Sequence, residues 1–239
     1  MFDDNSQFYR EINNRFLKKV PFLGTFFDLF LPNYCLICNN IISSENFVCH
    51  ECFNKLINLK VYPFKEKISQ KVDLYYFGSY DGILSKFILK YKYENHRSLA
   101  SFLALCVGKL IKHWNIKDDL ITNVPSHKLA DRKRGFSNTG LVLKRMICEM
   151  HTCSEYVSIF KRDGKYLPQA SIKDPVKRKE NAENSYSLKS TDEKFIERSN
   201  TLTVIDDVYT TGATLRKITD LVKKDFVKIN CVVVARKKI

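Results

Sequence analysis

The residues best suited to chemistry lie in one short stretch, TLTVIDDVYTTGATLRK, which runs from Thr201 to Lys217. In it, an apolar run rich in β-branched residues ends at two adjacent carboxylates, Asp206 and Asp207. Such a run predicts a strand, and the loops that follow parallel strands form the ligand crevice of an open α/β sheet. We therefore expect the two acids just after the end of a strand, where a ligand would meet them.

The residues after the acids predict a phosphate-binding loop. Gly212 can adopt a positive φ, and the helix expected to start near Thr214 directs its unpaired N–H groups and its dipole at the same point. Thr210 and Thr211 can add hydroxyl donors, as can Thr214. Because the neighbouring carboxylates can accept hydrogen bonds from a sugar diol, the stretch as a whole predicts a site for a ribose 5-phosphate.

The stretch differs from the two commonest phosphate-binding motifs, since it contains neither GxxxxGK[ST] nor GxGxxG. A plainer alternative is that the acids form an exposed turn and that Thr210 or Thr211 caps a helix. We favour the ligand site because consecutive positions, from Leu202 to Thr214, all suit the same ligand.

Four of the eight cysteines form a second pattern, in the segment CLICNNIISSENFVCHEC. Cys35 and Cys38 form one CxxC pair, and Cys49 and Cys52 form the other, a spacing typical of a tetrahedral zinc site rather than of a disulfide framework. The residues between the pairs suit a short β-hairpin, so the pattern predicts a zinc ribbon with four cysteine ligands. We expect the zinc to be structural, because metal binding stabilises modules whose core is small. Contact with nucleic acid or protein is the alternative role.

Length and charge set broader limits on function. The chain has 239 residues and a formal net charge of +14, which fits a nucleic-acid partner or a polyanionic small ligand. An AT-rich coding sequence would give the same Lys-rich composition without such a role. The polar, acidic N-terminus does not resemble a secretory signal, and the most apolar stretch, residues 20–31, is too short to span a bilayer. We therefore expect a cytoplasmic protein without a transmembrane segment.

Hydrophobic periodicity predicts alternating strands and helices after the cysteines. A strand and turn are expected in residues 73–82, two helices in 83–113, a short buried strand in 119–125 and a helix in 140–150. A strand near residues 156–160 precedes a polar segment, 161–200, whose length is typical of a lid, a binding loop or disorder. Strands at 201–205 and 229–235 flank the last helix. This order predicts an α/β domain with a parallel core sheet.

At this level of detail the sequence resembles a known family. VIDDVYTTGAT resembles the signature of type I phosphoribosyltransferases, which bind phosphoribosyl pyrophosphate (PRPP). Over residues 31–236 the chain resembles the competence protein F (ComF) family more specifically. The segments that carry this resemblance follow the double CxxC in family order: YDGILSKFILKYKY, VPSHKLADRKRGFSNTG, RDGKYLPQASIKDPVKRKENAENSY and the signature itself.

The resemblance implies a domain organisation and a fold. Residues 1–30 would form an N-terminal helical extension, residues 31–60 the zinc ribbon, and residues 73–239 a phosphoribosyltransferase-like domain. In the family fold, a parallel sheet flanked by helices holds the PRPP-type ligand above the sheet.

The resemblance also implies roles for individual residues. Asp206 and Asp207 would hold the ribose hydroxyls and, indirectly, Mg²⁺, as part of the catalytic set. Pro125, Ser126 and His127 would present backbone N–H groups to the pyrophosphate. The residues implied to bind the 5-phosphate are Thr210, Thr211, Gly212, Ala213 and Thr214.

The basic loop from Arg132 to Phe136 resembles the mobile loop that closes over the ligand in such enzymes. Arg132 and Arg134 would neutralise the departing pyrophosphate, with Arg134 as a catalytic residue and Gly135 as a hinge. A solvated basic surface is the alternative explanation of this loop.

These implications leave three functions open. The first is an enzyme, a Mg²⁺-dependent phosphoribosyltransferase. The second is a PRPP-fold binding module that acts in DNA uptake during natural transformation, with single-stranded DNA or a DNA-uptake helicase as its partner. The third is a non-catalytic zinc-ribbon module that binds nucleic acid or a partner protein. Pyrophosphate release would distinguish the first function, and salt-sensitive DNA binding the second.

Overall fold

The computed structural model describes most of the chain after the first 32 residues. The described ranges are 33–42, 48–57, 64–94, 96–97, 99–126, 131–132, 135–150, 155–162, 186–189 and 193–237. The helical extension predicted for residues 1–30 lies outside these ranges, and so does most of the polar segment 161–200.

The described elements are short strands and medium-length helices in mixed order. The strands are β1 (Asn33–Tyr34), β2 (Ile41–Ile42), β3 (Phe64–Lys67), β4 (Val72–Ser79), β5 (Leu120–Asn123), β6 (Glu155–Tyr156), β7 (Phe160–Arg162), β8 (Tyr186–Leu188), β9 (Thr201–Tyr209) and β10 (Lys228–Arg236). The helices are α1 (His50–Ile57), α2 (Gly82–Tyr93), α3 (Leu99–His113), α4 (Asn138–Met150), α5 (Glu193–Glu197) and α6 (Ala213–Val222).

Within the described ranges, six strands form one sheet in the order β3-β4-β10-β9-β5-β6. The four pairings from β4 to β6 are all parallel, and only β3 is antiparallel to its neighbour. The predicted α/β class with a parallel core sheet is therefore confirmed. The long apolar runs of β9 and β10 follow from this arrangement, because strands buried on both faces need apolar side chains at successive positions.

Helices cover both faces of the sheet. Buried residues of α2, α3 and α4 pack on one face, against side chains such as Ile205 and Val232. Helix α6 packs on the other face, together with α5 and the β7–β8 ribbon. It contacts the side chains that the same strands place on that face, such as Val204 and Val233. Alternation along each strand thus supplies two separate cores from one sheet.

The chain connections place a topological switch point between β5 and β9. From β5 the chain passes through α4 to β6 on one side, whereas from β9 it passes through α6 to β10 on the other side. Since α4 and α6 cover opposite faces, a crevice opens beyond the carboxyl ends of β5 and β9. Asn123 at the end of β5 pairs with Ile205, so the two acids that follow Ile205 lie at this crevice.

The cysteine module packs against the same core as α2 and α3. Cys35 and Cys52, with Ile37 and Val48, are buried in the cluster that includes residues of both helices. A hydrogen bond of 3.5 Å from Lys90 to Asn39 adds a polar contact. The predicted division into residues 1–30, 31–60 and 73–239 stays a prediction, and the large sheet also takes in β3, before residue 73.

Most predicted elements appear with shifts of a few residues at their ends. The exceptions lie near the cysteines and after α4. The described hairpin, β1–β2, encloses the first CxxC pair, and the second pair leads into α1. The single strand expected near residues 156–160 is two short strands in different sheets, β6 and β7. Among the described residues, none of the helices combines the length and the apolar character needed to cross a membrane.

Asp73 forms a buried polar cluster on the far side of β10 from the switch point. Its side chain is only 4% exposed and accepts contacts from Lys228 Nζ at 2.6 Å and Lys65 Nζ at 3.0 Å. The hydroxyl of Tyr75 donates to it at 3.3 Å. Burial alone would raise the pKa of Asp73, but hydrogen bonds from both lysines lower it below its usual value. The cluster therefore stabilises the fold while this carboxylate is ionised.

We expect Asp73→Asn to destabilise the protein by about 2–3 kcal/mol, because two ammonium groups lose their shared anion. Because the pKa of Asp73 is lower in the folded protein than the value of about 3.9 in the unfolded chain, its ionised carboxylate stabilises the fold at pH values above 3.9. This stabilisation is lost as the pH falls through the pKa of Asp73 in the folded protein. The gap between wild type and variant should therefore be full at pH 7 and should shrink below pH ~4. Urea denaturation at pH 7 and pH 3 measures this difference in stability, and Asp225→Asn, at an exposed position, is the control. Equal stability of D73N and wild type at pH 7 would contradict the assignment.

Candidate functional site

The loop between β9 and α6 forms a cleft at the switch point. Gly212 has φ 75° and is the N-cap of α6, which begins at Ala213. The N–H of Ala213 donates to Thr211 Oγ1 at 3.4 Å, and the N–H of Arg216 donates to the Gly212 carbonyl at 2.9 Å. The cleft is lined by Asp206, Val208, Tyr209, Thr210, Thr211, Gly212, Ala213, Thr214 and Leu215. Those residues include all the positions predicted to bind a 5-phosphate.

Two side chains fix the shape of this loop. The guanidinium of Arg216 reaches back from the first turn of α6 and donates to the carbonyl of Thr211. The buried ring of Tyr209 packs against Gly212, where a Cβ atom would collide with it. Position 212 therefore requires glycine, because the backbone there is left-handed and because the ring of Tyr209 leaves no room for a Cβ atom. The result is a loop whose path is held before any ligand binds.

The two acids lie within β9 and not after it. This corrects the sequence expectation, because β9 continues to Tyr209, which pairs with Arg236 of β10. Asp206 lines the cleft, whereas Asp207 forms an ion pair of 2.9 Å with Lys92 of α2. The backbone N–H of Asp207 donates to Asp206 Oδ1 at 2.9 Å, which orients the carboxylate of Asp206.

The acid pair and Lys92 shift one another's pKa values. Burial raises the pKa of Asp206 well above its usual value, and the charge of Asp207 raises it further, although Lys92 opposes the shift. Burial alone would lower the pKa of Lys92, but the two acids raise it above its usual value. Two adjacent carboxylates with limited access to water suit the hydroxyls of a sugar or a hard cation such as Mg²⁺, which prefers oxygen ligands.

The loop after β5 lies beside the acids. The N–H of Val124 donates to the carbonyl of Ile205 at 2.9 Å and joins the loop to β9. The hydroxyl of Ser126 donates to both oxygens of Asp131, at 2.5 and 2.7 Å. Since this hydroxyl is engaged, a ligand contact from Ser126 would come from its backbone N–H, as predicted. His127, the other predicted site residue of this loop, lies outside the described residues.

Only part of the basic loop is described. Arg134, the predicted catalytic arginine, lies outside the described residues, while Arg132 is exposed. Gly135 has φ 78°, and its N–H donates to the Asp131 carbonyl at 2.6 Å. The next residue, Phe136, lies under the guanidinium of Arg97, 4.9 Å from the ring centroid. The ring of Phe136 also lies 6.1 Å from that of Tyr91 between centroids, so the end of the loop is anchored beside α2. The predicted hinge position does have a left-handed backbone.

The four predicted zinc ligands come together. The sulfur atoms of Cys35, Cys38, Cys49 and Cys52 all lie within 4.8 Å of one another. Backbone N–H groups point at the sulfurs: those of Ile37 and Cys49 donate to Cys35 Sγ at 3.4 and 3.3 Å. The described structure therefore contains a four-cysteine cluster that can hold a zinc ion, as the spacing predicts.

The electrostatic environments of these four thiols differ. Burial alone would raise the pKa of Cys35, but amide hydrogen bonds lower it to about 7. Burial and the neighbouring thiols raise the pKa of Cys52 well above its usual value. Four cysteine sulfurs this close together suit a tetrahedral Zn²⁺ ion, which binds the deprotonated form of cysteine. His50 is not part of the cluster, since its ring lies against Asn54, 3.1 Å from the amide nitrogen.

Sequence reasoning assigned no role to three residues that shape the site. Lys92 carried no assigned role, although it is four positions after the buried Ile88 on α2, and a lysine on a buried helix face needs an acidic partner. Tyr209 and Arg216 flank the phosphate loop, but nothing in their spacing shows that their side chains turn back onto it. Their roles became visible only from the contacts described above.

Comparisons with known proteins agree with the predicted resemblance. Competence protein F of Haemophilus influenzae is 30% identical to the chain over 154 residues, which are 62% of this chain and 65% of that protein. The chain thus matches just under two thirds of that relative's length. This match confirms the resemblance to competence protein F. No family model matches the chain.

A weaker similarity exists to a solved structure described as the allosteric regulatory enzyme of purine biosynthesis. It is 14% identical and covers 56% of this chain and 26% of that chain, with a TM-score of 0.39. A similarity of this extent does not contribute to the functional argument, which rests on the site itself and on the relative named above.

Proposed function

Starting from a chain related to competence protein F, we propose that this protein binds PRPP or a related ribose 5-phosphate ligand and acts in DNA uptake during natural transformation. One observation supports this choice of ligand: the Gly212 loop at the start of α6 lies directly beside Asp206, at the switch point of the sheet. Helix N-termini bind phosphate, and carboxylates accept hydrogen bonds from vicinal hydroxyls. The same cleft therefore recognises both ends of a ribose 5-phosphate.

In this proposal each element has a separate task. The loop N–H groups and the hydroxyls of Thr210, Thr211 and Thr214 bind the 5-phosphate, while the acid pair orients the ribose. The backbone after β5 and the basic loop with Arg134 face the pyrophosphate. Asp206 and Asp207 would hold Mg²⁺, which would supply charge neutralisation for the pyrophosphate.

The catalytic form of the proposal is a displacement at the anomeric carbon of the ribose. Pyrophosphate would leave as an acceptor nucleophile bonds to that carbon, and the protein would contribute positioning and charge stabilisation. Release of pyrophosphate from PRPP, measured with a coupled phosphate assay, distinguishes this enzyme from a module that only binds the ligand.

The alternative is a binding module in which nucleic acid or a partner protein is the main ligand. The net charge of +14 favours it, and single-stranded DNA and a DNA-uptake helicase are the proposed partners. Binding of an oligonucleotide should then weaken with salt along a log–log slope of several units. In either case we propose that zinc in the cysteine cluster is structural and that the protein acts in the cytoplasm.

Calorimetry with PRPP and Mg²⁺ tests the ligand site through Gly212→Val. A side chain at this left-handed position strains the loop and displaces Tyr209, so we expect the affinity to fall at least about tenfold, or ~1.4 kcal/mol. Gly82→Ala is the matched control, since Gly82 also has positive φ but faces open space. Equal affinity of G212V and G82A, with both variants folded by circular dichroism, would contradict the site.

A further inference from the structure

The Lys92–Asp207 ion pair joins the candidate site to a helix that the proposed chemistry does not use. Lys92 lies in the last turn of α2, and Asp207 lies near the end of β9. The distance from Nζ to Oδ1 is 2.9 Å, and the side chains are 21% and 12% exposed. This is a largely buried contact between elements that are far apart in the sequence.

A purely stabilising role explains this pair poorly. Removing a lysine and a carboxylate from water costs about as much as their attraction returns, so apolar residues often serve a core better. The rest of the inner face of α2 is indeed apolar: Leu84, Phe87, Ile88 and Tyr91 are all buried. The charge of Lys92 lies where this face reaches the acid pair.

The location of the ammonium group matters because the proposed ligand is an anion. Two carboxylates beside a phosphate cradle repel a ribose phosphate, and the repulsion is strong where water is partly excluded. Lys92 offsets one of the two negative charges and fixes the carboxylate of Asp207 through a directed contact. A divalent cation at the same carboxylate would have a similar effect.

We propose that Lys92 is a positioning residue for the sugar-phosphate ligand. It serves as a resident cation that orients Asp207 and lets ribose 5-phosphate bind without a divalent cation. The inference rests on the proposed function and deepens it, because it separates the ribose 5-phosphate part of the site, served by Lys92, from the pyrophosphate part, served by Mg²⁺.

The test compares the affinity for ribose 5-phosphate in EDTA with that in Mg²⁺, by calorimetry on the full chain. We expect the affinity of wild type for ribose 5-phosphate to differ by less than about threefold between the two buffers, because Lys92 supplies the positive charge in both. Lys92→Met should bind at least about tenfold more weakly in EDTA and recover most of the loss in Mg²⁺. Lys92→Arg, which keeps the charge, should stay within about threefold of wild type.

Lys86→Met is the matched control, since it removes the same charge from an exposed position of the same helix. It should behave as wild type in both buffers. If K92M unfolds at the assay temperature, Lys92→Gln replaces it, because glutamine keeps a donor for Asp207 without the charge.

Two results would overturn the inference while leaving the proposed function intact. One is a charge-removing variant of Lys92 that binds ribose 5-phosphate like wild type. The other is a charge-removing variant of Lys92 whose affinity falls equally in EDTA and in Mg²⁺, which indicates a structural role. A wild-type chain that binds ribose 5-phosphate in neither buffer overturns this inference, and failure with PRPP as well would overturn the proposed function.

Discussion

Replacing Asp206 and Asp207 together by asparagine is expected to weaken PRPP binding about a hundredfold in the presence of Mg²⁺. Each carboxylate would lose a charge-assisted hydrogen bond of about 1.5 kcal/mol, and two such losses, ~3 kcal/mol, correspond to that factor. The fold should persist with reduced stability, because asparagine has the same shape as aspartate but leaves the ammonium group of Lys92 without its charged partner. Calorimetry measures the affinity, and a thermal melt measures the stability.

The matched control removes the same charge from exposed acids. Asp220 on α6 and Asp225 just after it are both exposed, so Asp220→Asn/Asp225→Asn should bind PRPP as wild type does. If D206N/D207N retained the wild-type affinity, the assignment of the acids to the ribose would be wrong. A loss of affinity accompanied by a collapse of the melting curve would show that the acids are needed for folding.

Cys49→Ser is expected to remove the zinc ion and to lower the melting temperature by at least about 10 °C, which is a loss of ~3 kcal/mol or more for a chain of this size. The effect should extend beyond the cysteine module, because Cys35 and Cys52 are buried in the same core as α2 and α3. Zinc content by atomic absorption should fall from about one ion per chain to under about a tenth. Circular dichroism then gives the change in melting temperature.

Cys148→Ser provides the comparison for this variant, since Cys148 is an exposed free thiol on α4 outside the cluster. It should keep both the zinc and the wild-type melting temperature. Full zinc content in C49S would contradict the four-cysteine site. Loss of DNA binding alone, without loss of stability, would instead favour a zinc module that contacts nucleic acid.

The sequence alone determined the features that depend on local spacing. The two CxxC pairs predict a cluster because each turn presents its two sulfurs together, and the structure brings all four within 4.8 Å. The small residues around Gly212 predict the left-handed loop and the start of α6, because φ preferences and helix capping are local properties. Periodicity likewise predicts the parallel α/β class, since it reports the burial of each element.

Tertiary structure decided which distant residues meet. The two acids are adjacent in sequence, but only the packing of α2 against β9 gives Asp207 a lysine partner and leaves Asp206 at the cleft. The same holds for Asp73, whose two lysines come from β3 and β10. Strand order also extended β9 through the acids, because β10 pairs with it as far as Tyr209. Such contacts depend on the order of strands and the packing of helices, which local preferences do not specify.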